Sequence, residues 1–585
     1  MADGFLASRT IAGRRQRVAP SKAVWTDKSI FSLVVGAVLA VLVLPPLVLL
    51  LRGSFTHTAS NGVTYFTAAN FAKILSQRSF IHSASNSLLF ALGSSALALV
   101  IGGGTAWLVE RTNTPGKALA YVTTIVSLGT PYILYTSAWL LLLENSGPIN
   151  AGWRALTGSS RLFDVFGLPG MIFIEGLLWS PLVFLLLGAT LRNANPELEE
   201  AARMSGAKAR HVFGRITFRL ALPALLALTL LVFIRALESF EVPALVGSPG
   251  RVHVLATDIY NTMELAMPPD LGGASALAVL LLMVVMVLLV FYGRLTRSAE
   301  KFATITGKGF RPRQIDLGGW RWLGTCVLVM NFLLLLVLPM LILLWASLLP
   351  FYEPFSIAAL SHLTSMNYRH VLHSSRYLSL LENTLIIAAV AASAVMAIAA
   401  TAAWLSVRRA PGARIVDNLA TLPLVFPGIV LGVAVMQVFL AAPIGLYGTI
   451  WIIVWAFVIN YMPYGVRYSF TGMLQVHREL EEAASIAGGG PLVTFRRVVV
   501  PLLAPSLIAG WLFVFLMSTR VLALPVLLSA PNSQTMAVAM FDLWGNGQGP
   551  ELAALGLIWS VAMAAVALGL YAIGRRSGIG LLGQD

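Results

Sequence analysis

The most concentrated carboxylates of this chain occur in a six-residue motif, here called the acidic phrase, which is present twice. The sequence Glu-Leu-Glu-Glu-Ala-Ala occupies residues 197–202 and returns at residues 479–484. Each copy is followed by a glycine four residues after its last alanine, Gly206 in the first and Gly488 in the second. No pair of buried carboxylates, His/Cys cluster or nucleophile–base set stands out elsewhere in the sequence. Acidic residues in this arrangement therefore indicate a docking element outside the membrane and not a catalytic centre.

The residues around each phrase predict a short polar helix that ends at the glycine. Asn195 suits the N-cap, and Pro196 suits the first helical position. Carboxylates from Glu197 onward then favour the positive end of the helix dipole. The alanines keep the helix slim, and Gly206 can end it in the left-handed conformation. The second copy has the same carboxylates and alanines, with three glycines at 488–490 as a looser terminator.

Each acidic phrase lies between predicted membrane spans. Hydrophobic residues make up 57% of the chain and charged residues only 11%, whereas a soluble domain is about 25% charged. A helix needs about 20 apolar residues to cross the hydrocarbon, and the apolar runs predict two sets of six such helices. The predicted spans are 30–51, 86–109, 118–143, 169–191, 220–246 and 274–293, then 323–346, 383–407, 415–441, 448–467, 502–528 and 552–574.

The two sets of spans form an internal repeat. Asn86 matches Asn383 at an offset of 297, and Pro181 matches Pro463 at an offset of 282, as the acidic phrases also do. Six spans separate the copies, so both halves have the same orientation. The sequence therefore predicts an all-α integral membrane protein with two tandem six-helix domains, related by a pseudo-two-fold axis along the membrane normal.

The distribution of basic residues predicts the orientation and the domain boundaries. Most of the 40 Lys and Arg residues lie on the side that bears the N terminus, which identifies that side as cytoplasmic. Both acidic phrases are then cytoplasmic, as is the C terminus, and the net charge of +15 is suited to lipid headgroups and not to nucleic acid. The predicted segments are a cytoplasmic N-terminal segment (1–29), a first domain (30–293), a cytoplasmic linker (294–322), a second domain (323–574) and a cytoplasmic tail (575–585).

The acidic phrases carry a family resemblance. The pattern Glu-Ala-Ala-x-x-x-Gly, followed by basic residues and prolines, is similar to the cytoplasmic signature of binding-protein-dependent ABC importer permeases. It occurs in both halves, so the chain resembles two permease domains fused head to tail. One departure is Arg219, which stands where the second copy keeps a proline, Pro501.

The resemblance implies partners as well as a fold. Each short helix would be a coupling helix that docks on an ATPase subunit, so the chain would bind two copies of that subunit. A periplasmic binding protein would deliver the solute. The implied docking residues are Glu197, Glu200, Ala201, Ala202, Gly206, Glu479, Glu482, Ala483, Ala484 and Gly488.

The sequence contains no pattern for binding ATP or for a thiolate metal cluster. The phosphate-binding pattern Gly-x-x-x-x-Gly-Lys-Ser/Thr does not occur in the sequence. The single cysteine, Cys326, excludes an intrachain disulfide and a thiolate metal cluster. We therefore expect no cofactor and no metal on this chain and no enzymatic activity of its own, with ATP bound and hydrolysed by the partner subunit.

Four ionisable residues within predicted spans are candidates for the translocation path or its gate. They are Arg235, Glu238, Glu241 and Arg520. Glu238 aligns with Arg520 in the repeat, so the two would occupy equivalent positions in opposite halves. One hypothesis is an ion pair that opens when the halves separate. The alternative is that these residues stabilise helix ends at the aqueous boundary and do no more.

The cargo is the least determined part of the function. Residues 238–247 resemble the corresponding stretch of fused permeases of the ferric-iron uptake type, which favours ferric iron. Fused permeases for thiamine and certain phosphonates look similar, and split permeases for polyamines share the loops. A proton-coupled secondary transporter is the alternative from another class. Such carriers usually place Asp, Glu or His in several spans, and most spans here lack them.

Overall fold

The computed structural model of the chain is almost entirely helical in its described parts. It describes residues 22–58, 64–159, 162–192, 202, 204–206, 215, 218–302, 314–441 and 445–576. The exception is a hairpin of two three-residue strands, β1 (Thr56–Thr58) and β2 (Thr64–Phe66). The helices of the first half are α1 (Lys22–Ser54), α2 (Ala69–Ser76), α3 (Arg78–Arg111), α4 (Lys117–Gly129), α5 (Tyr132–Leu143), α6 (Pro148–Thr157), α7 (Leu168–Arg192), α8 (Phe218–Leu237), α9 (Leu255–Tyr260) and α10 (Leu271–Phe302).

The second half follows a similar order of elements and includes a short helix that contains the second acidic phrase. Its helices are α11 (Arg321–Phe332), α12 (Leu338–Ser347), α13 (Met366–His373), α14 (Ser375–Val407), α15 (Ala413–Thr421), α16 (Gly428–Ala441), α17 (Ile450–Gln475), α18 (Arg478–Ile486), α19 (Pro491–Thr494), α20 (Val500–Ser518), α21 (Pro525–Leu528), α22 (Met536–Gly545) and α23 (Gly549–Arg576). Within the described ranges, nine helices are long and apolar enough to cross a membrane, or eleven if each of two bent pairs counts as one span.

Two predicted spans, 118–143 and 415–441, are broken instead of continuous. The chain bends by 110° between α4 and α5 and by 113° between the end of α15 and α16. Each break contains a matched proline, Pro131 or Pro427. Proline disfavours helical backbone in the residue before it and cannot donate a hydrogen bond of its own. The apolar run is therefore continuous in sequence, while the helix is not.

The predicted spans 220–246 and 502–528 end earlier than expected. The helix α8 ends at Leu237, and α20 ends at Ser518. A turn then leads to a short helical segment that begins with a proline, at 243–247 in the first half and at 525–528 in the second. Proline suits the first position of a helix but not its interior, so the same residue that marks the repeat also starts a separate segment.

The repeat is visible in a pair of buried asparagines that the sequence comparison did not single out. Asn70 donates from its side-chain amide to the backbone carbonyls of Ser54 (3.1 Å) and Thr56 (2.9 Å), just after α1. Asn367, 297 residues later, donates in the same way to two carbonyls at the end of α12, at 3.0 and 2.7 Å. Each asparagine thus fixes the chain as it leaves the first membrane span of its half, Ser29–Ser54 or Gly318–Ser347.

Replacing Asn70 by aspartate is expected to destabilise the protein. An ionised carboxylate cannot donate, so two buried carbonyls would lose their partner and face a negative charge, at a cost of about 1–3 kcal/mol. Thermal unfolding of the purified chain in detergent measures the effect, and Asn367→Asp should behave alike. Asn546→Asp, on an exposed residue, is the control. Equal melting temperatures for Asn70→Asp and this control would contradict the prediction.

The first helix of each half packs against the other half. In the first half, α1 lies against α15 and α16, and in the second half α11 and α12 lie against α4 and α5. The hydroxyl of Thr325 on α11 donates to the carbonyl of Pro115 at 3.2 Å. Beyond α12, the hydroxyl of Tyr352 donates to the carbonyl of Leu141 at 2.9 Å. The two halves are therefore interlocked by an exchange of helices.

Candidate functional site

The second acidic phrase forms the helix α18, and its glycine ends that helix. Glu479 and Glu481 lie in the first turn, where carboxylates favour the helix dipole. The amide of Gly488 donates to the carbonyl of Ser485 at 3.0 Å, and the amide of Gly489 donates to Ala484 at 2.9 Å. These two bonds form a Schellman motif, which requires a left-handed residue. Gly488 is this left-handed residue, with a φ of +83°, so the C-terminal end of α18 is better defined than the three consecutive glycines suggested.

Most of the proposed docking residues of the second copy face solvent. Glu479, Glu482, Ala483 and Gly488 are exposed, and Ala484 is half-buried. Their spacing of three and four residues places Glu479, Glu482 and Ala483 on one face of α18. The structure thus presents an exposed helical face in which carboxylates and small residues are side by side.

The first copy is described only in part. Glu197, Glu200 and Ala201 lie outside the described residues. Ala202 is helical and half-buried, and Gly206 is exposed with a φ of +82°, close to that of Gly488. The glycine conformation expected from the sequence is therefore present in both copies.

A matched pair of apolar side chains projects from the two copies. Ile486, the last residue of α18, is 88% exposed, and Met204, 282 residues earlier, is 90% exposed. Single exposed apolar residues are ordinary on protein surfaces. Two of them at the same repeat position, each beside a glycine turn, are a feature that a partner protein could bury. Sequence analysis missed both, although Ile486 continues the stripe of Glu479, Glu482 and Ala483.

A second polar cluster lies between the two halves. Arg235 forms an ion pair with Glu238 at 3.0 Å and donates to the hydroxyl of Tyr464, on α17 of the other half, at 2.6 Å. Glu238 was hypothesised to pair with Arg520, and the structure pairs it with Arg235 instead. These residues lie one turn apart at the end of α8, so the pair forms within one half.

The other two path candidates make their own contacts across the halves. Arg520 is 4% exposed, donates to the carbonyl of Leu128, and places its guanidinium over the ring of Tyr132 at 4.2 Å. Such a cation–π contact is favourable when both groups are desolvated. Glu241 accepts a hydrogen bond from the amide of Leu522 at 3.2 Å. All four predicted residues are thus near the boundary between halves, in three separate contacts.

These contacts define what the central cluster (Arg235, Glu238, Glu241, Tyr464 and Arg520) can do. Apart from the ion pair of Arg235 with Glu238, each contact joins a residue of the first half to a residue of the second, so separation of the halves would break it. The tyrosines that contact the two arginines, Tyr132 and Tyr464, were not singled out from the sequence, although each directly follows a proline of the repeat. Among the described residues, no group of three His, Cys, Asp or Glu side chains could hold a metal ion.

Comparison with known proteins gives matches to transport proteins. Residues 98–301 match the family described as the inner membrane component of binding-protein-dependent transport systems. The ferric transport system permease protein FbpB of Actinobacillus pleuropneumoniae is 26% identical over 520 residues, 86% of this chain and 72% of that protein. The putative ferric transport system permease protein FbpB 1 of Haemophilus influenzae is 27% identical over 76% of this chain and 70% of that protein.

A shorter relative matches one part of the chain. The putrescine transport system permease protein PotI of Escherichia coli is 29% identical over 198 residues, which is 32% of this chain and 69% of that protein. The two ferric permeases, by contrast, match over so much of the chain that their similarity must include both halves.

Proposed function

We propose that this chain is an ABC importer permease of the binding-protein-dependent family, with two permease domains in one polypeptide, and that its cargo is ferric iron. The observation that carries the proposal is the extent of the similarity. The relatives named as ferric permeases match 86% and 76% of this chain, through both halves, whereas the putrescine permease matches about a third of it. Transport of a polyamine, thiamine or a phosphonate is the alternative within the same importer class.

We propose that the ATPase is a separate subunit, present in two copies, one on each docking surface. The first surface contains Met204 and Gly206, and the second is the exposed face of α18. The matched apolar side chains support this, because each would be removed from water by a groove on the ATPase. On this proposal the docking surfaces and both chain termini are cytoplasmic, and the opposite loops receive the binding protein. Those loops are residues 52–85, 144–168 and 347–382.

The central cluster would then serve as the gate. Closure of the two ATPase subunits around ATP draws the docking surfaces together and rocks the halves about the central axis. The contacts of Arg235 with Tyr464 and of Arg520 with Leu128 join the halves in the closed state. Their separation would open the path towards the binding protein. The exchanged helices keep the halves associated while this movement takes place.

Uptake by a reconstituted complex tests the proposed function. The affinity-tagged chain is purified with its associated ATPase and binding protein and placed in proteoliposomes. Uptake of radiolabelled ferric iron is expected only when ATP is enclosed on the ATPase side and binding protein is present on the other. Putrescine, thiamine and 2-aminoethylphosphonate are the comparison solutes.

Two results would overturn different parts of the proposal. Uptake of one comparison solute in place of ferric iron would replace the cargo but keep the importer class. Uptake driven by a proton gradient, without ATP, would reject the importer class and support a secondary transporter.

A further inference from the structure

One carboxylate of the second acidic phrase faces the membrane helices and not the solvent. Glu481 is 7% exposed, although its neighbours along α18 are open to water. One of its oxygens accepts a hydrogen bond from Nε of Arg408 at 2.6 Å. The other accepts from the indole nitrogen of Trp404 at 3.0 Å. Both oxygens are therefore engaged, which distinguishes Glu481 from the exposed carboxylates of the docking face.

The partners of Glu481 connect α18 to the two long helices beside it. Trp404 lies in the last turn of α14 and is fully buried, and Arg408 follows that helix directly. Arg408 also donates to the carbonyl of Val476 at 2.8 Å, at the end of α17. One guanidinium thus joins the ends of α14, α17 and α18. We name the set of Trp404, Arg408 and Glu481 the clasp.

The clasp is needed because the covalent connections of α18 are short but not rigid. Only Val476 and His477 separate α17 from α18, and the glycines at 488–490 follow it. A helix held only by its ends in this way could swivel when a partner pulls on its exposed face. Ion pairs at the surface add little, but a buried one with both oxygens hydrogen-bonded holds a defined geometry.

The same residue types recur at the matching places of the first half. Trp107 and Arg111 precede Trp404 and Arg408 by 297 residues, and Glu199 precedes Glu481 by 282. Arg111 is buried and donates to the carbonyl of Leu191, near the end of α7, at 3.4 Å. Glu199 lies outside the described residues. The repetition of all three residue types indicates a role that both docking surfaces share.

We propose that Glu481 is a positioning residue for energy coupling, an inference that rests on the proposed function. Through the clasp, α18 moves as one body with α14 and α17. Because α17 carries Tyr464, a displacement of α18 by the ATPase reaches the hydrogen bond between Tyr464 and Arg235 in the central cluster. Coupling between distant sites is carried by such rigid elements when they have two arrangements.

The test is the number of solute molecules imported for each ATP hydrolysed, measured in proteoliposomes that contain the whole complex. Glu481→Ala is expected to retain the ATPase subunit and its ATP hydrolysis, while imported solute per ATP falls at least about fivefold, a typical lower value for coupling between sites. Glu264→Gln, on an exposed carboxylate between α9 and α10, is the control and should match the unmodified chain. Glu482→Gln, on the docking face, should instead weaken ATPase retention.

A second measurement needs no partner and covers the case in which Glu481→Ala folds poorly. The double variant Glu481→Leu with Arg408→Met removes both charges, so that neither is left buried alone. Hydrogen exchange of the isolated chain is expected to be faster in α18 of this variant and unchanged in the middle of α17. The same double variant should also show the reduced ratio of solute to ATP.

Two outcomes would overturn the proposal. An unchanged ratio of solute to ATP in both variants would reject the coupling role, and so would loss of the ATPase subunit from Glu481→Ala, since Glu481 would then act in docking. An error in the proposed function can be told apart from an error in the coupling role. In that case even the unmodified complex would import no solute with ATP.

Discussion

Replacing Met204 and Ile486 together by aspartate is expected to separate the ATPase from the permease and to abolish ATP-dependent uptake. Both side chains are almost fully exposed in the isolated chain and would be buried on docking. Each lost apolar contact is worth about 1.5–3 kcal/mol at the docking surface that contains it. The affinity for each of the two ATPase copies should therefore fall by about 10- to 150-fold, before the cost of burying a carboxylate is added.

Retention of the ATPase by the tagged chain during purification in detergent measures this effect, and uptake by proteoliposomes measures its consequence. The matched control exchanges the two residues, Met204→Ile with Ile486→Met, which keeps an apolar side chain at each place and should retain the ATPase. Each single aspartate variant should lie between these two results. Full retention by the double aspartate variant would show that the ATPase binds elsewhere.

Replacing Arg235 by methionine is expected to destabilise the chain and to disturb the gate. The carboxylate of Glu238 has a side-chain exposure of 9% and would lose its ion-pair partner, and the hydroxyl of Tyr464 would lose a donor. Leaving a buried charge unpaired costs about 3 kcal/mol. The melting temperature of the purified chain should therefore fall by several degrees.

The double variant Arg235→Met with Glu238→Leu separates stability from gating. It leaves no unpaired charge, so its melting temperature should return close to that of the unmodified chain. Its contact with Tyr464 is still missing, so a gate at this place should leak solute into proteoliposomes without ATP. Tight vesicles and normal uptake would support the alternative, in which the pair only stabilises the end of α8.

The sequence was informative where the chemistry is local. Carboxylates, alanines and a glycine within ten residues predicted the helix α18 and its left-handed end, and the repeated prolines predicted the correspondence between halves. It was less informative about backbone direction inside apolar runs. Residues 118–143 contain no charged residue, so hydropathy alone cannot show that the chain turns by 110° at Pro131.

Contacts between residues distant in the chain were the other part that sequence could not supply. Glu481 and Glu482 are adjacent and chemically identical, yet one is buried against Arg408 and the other is exposed. Helical spacing could have placed them on different faces. What lies opposite each face depends on tertiary packing. For the same reason, repeat position alone matched Glu238 with Arg520, although the ion-pair partner of Glu238 is Arg235.

The exchange of first helices also affects how the two halves assemble in a cell that contains related permeases. Because α1 completes the second half and α11 with α12 completes the first, neither half has all its neighbours when alone. A single polypeptide keeps the two at high effective concentration, since their association is intramolecular. Fusion should therefore guarantee a one-to-one ratio of halves and prevent hybrid pores with halves of foreign specificity.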